Sequence, residues 1–393
     1  MLRTLLLLTA TAAALPTYRT DAQLRAAYGA PVPLPPPTFR AAAPRPGAFT
    51  TLRAAAAAKG LHIGAAINEA CWTNASEPQY AATYLAELNL ATCENACKFA
   101  GIEPHQNNFT YGECDFIAQK ALVAGGGAFR GHNFVWGEGV PAWVTGSGFT
   151  PSQLRDAMTN HITTTLGHYA ASGLPPFTCW DVSNEAVCDS QSKNFDCQAP
   201  GALWKNISWS PAGEGVAGGY VEVAFRAAAK AIPAGQDIVL FYNDYAGEAS
   251  GEKSDKIYNM LKDFKARGVP VGGVGLQMHI SVDGYPNPWD VAANIQRLGE
   301  LGLVVHITEM DIRCSKCDAA RLDLQASIYG QMLRACLNNS GVCKSFETWG
   351  VTDRHTWLWD FDNPDHLDPA PLLFDVNYGK KPAYYEVLAI LNE

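Results

Sequence analysis

The sequence predicts an α/β protein folded as a single (β/α)8 TIM barrel, and three observations predict it. Short apolar runs alternate with amphipathic segments from about residue 51 to the C-terminus. Each of these runs begins apolar and finishes polar. The glycine-rich stretch 125–127 precedes a strand instead of joining a strand to a helix. A doubly wound open sheet, the alternative architecture, wants a phosphate-cradling glycine loop at such a junction.

The strands follow in order. They are LHIGAAI (61–67), LNLAT (88–92), AFRGHNFVW (128–136), FTCWDVSN (177–184), DIVLFYND (237–244), GVGLQMH (273–279), LVVHITEMD (303–311) and FETWGVTD (346–353). Helical periodicity fills the gaps between them, as in PQYAATYLAEL, CDFIAQKALVAGG, SQLRDAMTNHITTTLGHYA, GYVEVAFRAAAKAI, KSDKIYNMLKDFKARG and AARLDLQASIYGQMLRACL. Eight such strand–helix units make one barrel with insertions.

Ahead of the barrel lie two segments of different character. MLRTLLLLTATAAALP has a basic Arg3, a short apolar run from Leu5 to Leu8 and an A-x-A site ending near Ala14. That pattern predicts a signal peptide over 1–14, because the run is too short to cross a bilayer. Residues 15–50 are rich in Pro and Ala and read as an extended linker or pro-segment. The catalytic domain is expected over 51–393. The chain is expected to be secreted and extracellular, without a membrane span.

Composition narrows the function class. The 393 residues carry a net charge of -9 with 48% hydrophobic residues, enough apolar material for one large core. No basic stripe is available to neutralise phosphates, which argues against nucleic acid as a partner. The 10 tryptophans fill a core or serve as platforms for flat ligands such as sugar rings. Eleven cysteines and the N-x-[ST] acceptors at Asn74, Asn108, Asn206 and Asn338 fit an oxidising, glycosylating compartment. Cys188/Cys197, Cys314/Cys317 and Cys336/Cys343 are plausible local disulfides, and the odd count leaves a thiol over. Cys93 with Cys97, or the CSKC at 314–317, would be the alternative as metal ligands. Neither pair has a His at ligand spacing, so no metal is expected.

The polar strand ends carry the functional reading. Strand two leads into Glu94-Asn95, and strand three carries His132-Asn133. Strand four ends in Asn184-Glu185, strand five in Asn243-Asp244-Tyr245 and strand six in Gln277-Met278-His279. Strand seven ends in Glu309-Met310-Asp311, and strand eight brings Trp349 and Asp353. One polar end is an ordinary helix cap. A whole ring of them, on the face where such barrels place their chemistry, is a site. It is made of carboxylates, amides and aromatics, with no serine elbow. Glu185 and Glu309 would face each other across the mouth, as glycoside hydrolysis requires of an acid and a nucleophile. Asn184 is suited to hold the sugar 2-hydroxyl. Asp311 lies two residues from Glu309 and so points to the same side. His279 can bridge these two carboxylates and keep Glu309 ionised. A capped strand end is the plainer role for His279, and His306, mid-strand, reads as a core histidine.

WDVSNEAV, GVGLQMH, ITEMD, TCENACK, RGHNFVW, FYNDY and WGVTDRHTW, in this order on this strand pattern, resemble glycoside hydrolase family 10, the endo-β-1,4-xylanases. The likeness runs from about residue 52 to about 390 and closes on KPAYYEVL. It implies retaining hydrolysis of xylan, with Glu185 as acid/base and Glu309 as nucleophile tuned by His279 and Asp311. It further implies that Glu94, Asn95 and Lys98 grip the sugar two places to the non-reducing side. His132, Trp136, Asn184, Gln277, Trp349 and Trp357 would line the sugar at the point of cleavage, and Tyr245 would border the leaving-group side. Xylan is the one partner expected, of a monomer without cofactor or metal.

The sequence departs from the family pattern at a few places. WGEGVPAW puts Gly137 and Gly139 where His and Gln side chains are usual, which removes glycone contacts. Cys97 replaces a Met, and His355 replaces a Tyr. A barrel glycosidase or transglycosylase acting on another β-1,4-glycan, and a non-catalytic carbohydrate-binding or inhibitor protein, are the competing functions. A binder has no need of both acids.

Overall fold

The computed structural model describes residues 20–29, 31–40, 47–121, 127–171, 179–187, 203–206, 219–361 and 367–393. Cys188, Cys197, the side chain of Asn206 and the leader 1–14 lie outside the described residues.

Among the described residues nine strands form the core: β1 (His62–Ile67), β2 (Leu90–Cys93), β3 (Ala128–Val135), β4 (Cys179–Asn184), β5 (Val239–Asp244), β6 (Gly273–Leu276), β7 (His279–Ser281), β8 (Val304–Arg313) and β9 (Cys343–Thr348). All pairings between them are parallel, in the order β6-β5-β4-β3-β2-β1-β9-β8. β6 pairs back to β8, so eight strands close into a barrel. A parallel barrel is covered by helices outside and filled by side chains inside, so its strands are buried on both faces. β3 and β4 are buried along their whole length.

Two strands differ from the sequence expectation. The sixth breaks after Leu276, turns through Met278 at φ 67, and resumes as the short β7 against the far end of β8. The eighth runs Cys343–Thr348 and stops before Trp349, so Trp349 to Asp353 form an irregular mouth. The first break falls where the apolar GVGL meets Gln277, and the second where Thr348 meets Trp349 and Gly350. Register also shifts between His132 and Val135 on β3, and between Asp181 and Ser183 on β4. Such bulges re-aim side chains near barrel rims.

The helix Pro288–Glu300 was not among the periodic segments singled out in the sequence. It starts on the cap Asn287, whose side chain accepts from the Trp289 N–H, with Pro at the first turn.

The segment ahead of residue 51 packs on the barrel. Asp21–Tyr28 is a helix where the composition suggested an extended linker. Thr20 and Gln23 form a reciprocal capping box, and no Pro interrupts 20–30. Leu24 is buried, and the helix rests beside β7. Further on, the Thr38 hydroxyl and the Phe39 N–H donate to Glu386 on the C-terminal helix Pro382–Leu391.

Cys314 pairs with Cys317, and Cys336 with Cys343. Cys97 lies within bonding reach of both Cys93 and Cys114, so three buried sulfurs share one place. The Cys114 partner was not foreseen from the sequence, because the helix Gly112–Gln119 brings it there through tertiary packing. Cys71 and Cys179 are free thiols.

Candidate active site

Glu185 stands one residue past the end of β4 in a left-handed conformation, φ 53, which is uncommon for a residue with a side chain. Its N–H donates to the Asn243 carbonyl of β5 at 2.9 Å, so the neighbouring strand sets the turn. Glu309 lies within β8, 1% exposed, and its N–H donates to the Gln277 carbonyl at 3.0 Å. Both carboxylates are therefore fixed at the backbone by strands next to their own.

Amides then connect them. Gln277 Nε2 donates to Glu185 Oε1 at 2.9 Å and to Asn184 Oδ1 at 3.2 Å. Asn243 Nδ2 donates to the same Asn184 oxygen at 2.8 Å and to Glu309 Oε1 at 2.6 Å. Asn184 Nδ2 in turn donates to Glu185 Oε1 at 3.2 Å. Asn243 is itself oriented by Thr308, whose hydroxyl donates to its Oδ1 at 2.8 Å. A Cβ at position 275 would collide with Asn243 Oδ1, so Gly275 makes the room that this amide needs.

The two glutamates have opposite electrostatic settings. Burial pushes the Glu185 carboxyl up to about 7, and the charges of Asp244 and Glu309 add to the rise against the hydrogen bond from Gln277. Burial alone would raise Glu309 as well. The hydrogen bond from His279, the fields of His132 and His279 and the Asn243 amide outweigh it, and its pKa falls below the ordinary value.

His279 and Asp311 are register partners on β7 and β8. The His279 Nε2 lies 3.2 Å from Glu309 Oε2, and its Nδ1 lies 3.0 Å from Asp311 Oδ2. Burial would lower the imidazole, but Asp311 and Glu309 reverse the shift and push it up to about 10. It is an imidazolium at neutral pH. Trp357 Nε1 donates to Asp311 Oδ2 at 2.8 Å, and its ring meets His279 edge-on at 5.4 Å.

The remaining predicted residues stand near the ends of β2, β3, β5 and β9. Trp136, just past β3, donates its Nε1 to Glu185 Oε2 at 2.8 Å. His132 is buried in β3, its Nδ1 2.9 Å from Asp181 Oδ2 and its ring edge-on to Trp349 at 5.2 Å. Lys98 Nζ sits 4.9 Å from the Trp136 ring centroid and donates to Asn95 Oδ1 at 2.9 Å. Burial lowers the Lys98 amine, while Glu94, Glu309, Glu185 and Glu138 pull it back up. Glu94 accepts from Asn68 Nδ2 at 3.2 Å, and burial raises its carboxyl against the pull of Lys98. Tyr245 lies on the β5 side, with Lys253 Nζ 3.6 Å from its ring centroid and Lys253 in turn 2.8 Å from Asp244 Oδ1.

The roles of three supporting side chains escaped the sequence reading. Asn243 was visible as a strand end, but its place between the two glutamates depends on the register of β5. Asp181 lies one turn of the pleat below the site, where it orients His132 and pairs with Arg130. Lys253 comes from the helix Glu252–Ala266 and carries no local signal.

Beside Lys98, Gly139 has φ +64, and a Cβ there would meet Lys98 and Trp136 only at ordinary contact distances, 3.4 Å or more. Glu138, beside it, is half-buried instead of solvated. Burial pushes its carboxyl up to about 7 against the pull of Lys98.

Known proteins resemble this chain in sequence and in fold. The sequence profile of Glycosyl hydrolase family 10 matches residues 51–390. Endo-1,4-beta-xylanase B of Thermotoga neapolitana is 31% identical over 344 residues, covering 87% of this chain and 92% of that protein. Endo-1,4-beta-xylanase B of Neocallimastix patriciarum is 33% identical over 331 residues, covering 84% of this chain but only 34% of that longer protein. The crystal structure of xylanase 10B from Thermotoga petrophila RKU-1 in complex with xylobiose superposes with a TM-score of 0.77 at 33% identity. It covers 87% of this chain and 97% of that one. This chain belongs to glycosyl hydrolase family 10.

Proposed function

We propose that the protein is a secreted endo-β-1,4-xylanase that cleaves internal xylosidic bonds with retention of configuration. The observation that carries this reading is the opposed setting of Glu185 and Glu309 within one amide network. An acid that holds its proton near neutral pH stands beside a carboxylate that has lost its own.

The chemistry follows from that pair. Glu309 attacks the anomeric carbon while Glu185 gives its proton to the departing sugar oxygen, forming a glycosyl ester. Forming the ester removes the Glu309 charge, one of the causes that raise Glu185. Glu185 then becomes more acidic and acts as the base that draws a proton from water, which attacks the same carbon from the side the leaving group left. Asn184 and Gln277 meet the sugar at the cleavage point, with His132, Trp136, Trp349 and Trp357 around it. Glu94, Asn95 and Lys98 hold the next sugars on the non-reducing side, and Tyr245 borders the leaving group. Lys98 serves neutral hydroxyls as a donor, beside the carboxyl groups of Glu94, Glu309, Glu185 and Glu138.

Secretion is supported by the leader pattern of residues 1–14 and by the paired cysteines. Asn74, Asn108 and Asn338 are exposed, as glycan acceptors must be. Among the described residues no helix is long and apolar enough to cross a membrane.

The deciding assay is reducing-end release by the purified protein from xylan, carboxymethylcellulose and mannan. Release from xylan alone is the expected result. Release chiefly from a glucan would move the substrate to another β-1,4-glycan, and release from none would leave a binding protein.

A further inference from the structure

The family match begins at residue 51, yet an earlier stretch of the chain is docked on the catalytic face. The helix Asp21–Tyr28 lies against β7 and the turn that follows it. Leu24 is buried there, and a Cβ at position 284 would come within 2.6 Å of Leu24 Cβ and 2.8 Å of the Arg25 nitrogen. The segment touches this turn closely enough that only glycine fits. Arg25 lies 3.0 Å from Asp283, and the Tyr285 hydroxyl donates to the Val32 carbonyl at 2.9 Å.

One contact from this segment reaches inward. The Tyr28 hydroxyl donates to Glu248 Oε2 at 2.7 Å. Glu248 is fully buried, and its other oxygen accepts two backbone N–H groups, from Ala246 at 2.9 Å and from Met278 at 3.1 Å. Both are residues with side chains held in the left-handed region, at φ 55 and φ 67. Ala246 follows Tyr245. Met278 stands between Gln277, which donates to Glu185, and His279, which holds Glu309. One carboxylate thus clamps the two strained turns that aim the leaving-group and proton-handling side chains, and a buried carboxylate holds its geometry only when its oxygens are satisfied.

We propose that the N-terminal segment is a working part of the catalytic site, with Tyr28 the residue that positions the Tyr245 and Gln277–His279 turns through Glu248. Tyr28 touches no substrate. It completes the ligation of Glu248, and the turns keep the geometry that chemistry needs. The inference rests on the glycosidase reading for its kinetic consequence, but the clamp itself is independent of it. Glu94, Asn95, Lys98 and Trp136, assigned to the glycone, follow β2 and β3 and are outside its reach.

Two full-length variants test this. Tyr28→Phe removes only the hydroxyl, and Gly284→Ala pushes the docked helix off its seat without touching Tyr28. Their kcat and KM are measured on an aryl β-xylobioside, per active site titrated, well below each variant's thermal midpoint. The expected result is a fall in kcat of roughly three- to tenfold with KM unchanged, since small misplacements at such sites are expensive. Hydrogen exchange at the Ala246 and Met278 amides should rise in both variants. Unchanged exchange at both amides would overturn the proposal whatever the substrate. So would a loss that disappears once activity is expressed per titrated site. Wild-type protein that releases nothing from any glycan, with exchange raised in both variants, would instead sink the xylanase reading and leave the clamp standing.

Discussion

His279 holds its Nε2 3.2 Å from Oε2 of Glu309, and the two groups are displaced in opposite directions, the imidazole up to about 10 and the carboxyl downward. Each keeps the other charged. Replacing His279 with Asn should therefore raise the Glu309 pKa. The acid limb of the kcat/KM profile should move to higher pH, with a loss at neutral pH of about tenfold or more, or ~1.4 kcal/mol. An acid limb that stays in place would show that His279 does not set the charge of Glu309.

The same pair predicts a stability trend. The folded protein binds the His279 proton more tightly than the unfolded chain does. Its contribution is fully present below the unfolded value near 6.5 and is lost as the pH rises through about 10. The thermal midpoint of the wild type should fall between pH 7 and pH 10 by more than that of His279→Asn. Parallel curves would contradict this.

Glu185, at about 7, is predicted to set the alkaline limb of the same profile. Glu185→Ala should lower activity on xylan by roughly two to four orders of magnitude. It should affect an aryl glycoside with an activated leaving group far less in the bond-breaking step. Equal losses on both substrates would make Glu185 a structural residue.

The absence of side chains at Gly137 and Gly139 leads to a substrate-length prediction. The missing glycone side chains forfeit hydrogen bonds of roughly 0.5–1.5 kcal/mol each, and part of that loss falls on the rate. Specificity constants should be lower on xylotriose than on long xylan, which recruits remote contacts. Glu138, half-buried and facing Lys98, can reach a hydroxyl in that space. Glu138→Ala should then widen the gap, and comparable constants on both substrates would show that the glycines cost nothing.

Beneath the site, Arg130 is fully buried between Asp181 at 2.5 Å and Glu347 at 3.4 Å, with His306 Nδ1 at 2.7 Å from its guanidinium. Arg130→Met would strand two buried carboxylates and release the Asp181 that orients His132. The expected loss is about 3–5 kcal/mol in urea unfolding. A loss below about 1 kcal/mol would mean that the carboxylates are neutral in the folded protein.

What the sequence disclosed and what it hid follow from how far each signal travels along the chain. Glu185, Asn184, Glu309 and Asp311 end apolar runs, and the alternation within a strand puts Glu309 and Asp311 on one side without any knowledge of the fold. The barrel was legible for the same reason, in eight apolar runs of which seven lead into polar ends. Asn243 lies on a plainly visible strand. Its hydrogen bonds to Asn184 and Glu309 depend on the register shift where β4 pairs with β5, and a one-residue shift of register has no sequence mark. Lys253 under Tyr245, Cys114 beside Cys97 and Asp283 between Arg25 and Arg321 are tertiary encounters. The helix Asp21–Tyr28 was obscured by the Pro-rich residues after it, although its Thr20–Gln23 capping box stands in the sequence.

Covalent trapping bears on the assigned roles of both glutamates at once. A 2-deoxy-2-fluoro-xylobioside with an activated leaving group slows both steps but slows hydrolysis of the ester more, so a glycosyl-enzyme accumulates. Peptide mapping of the trapped protein should place the sugar on Glu309, in a peptide containing HITEMD, and release of product should follow with the β anomer first by proton NMR. Trapping on any other residue would contradict the roles given to Glu185 and Glu309. So would xylan cleavage that yields the α anomer first.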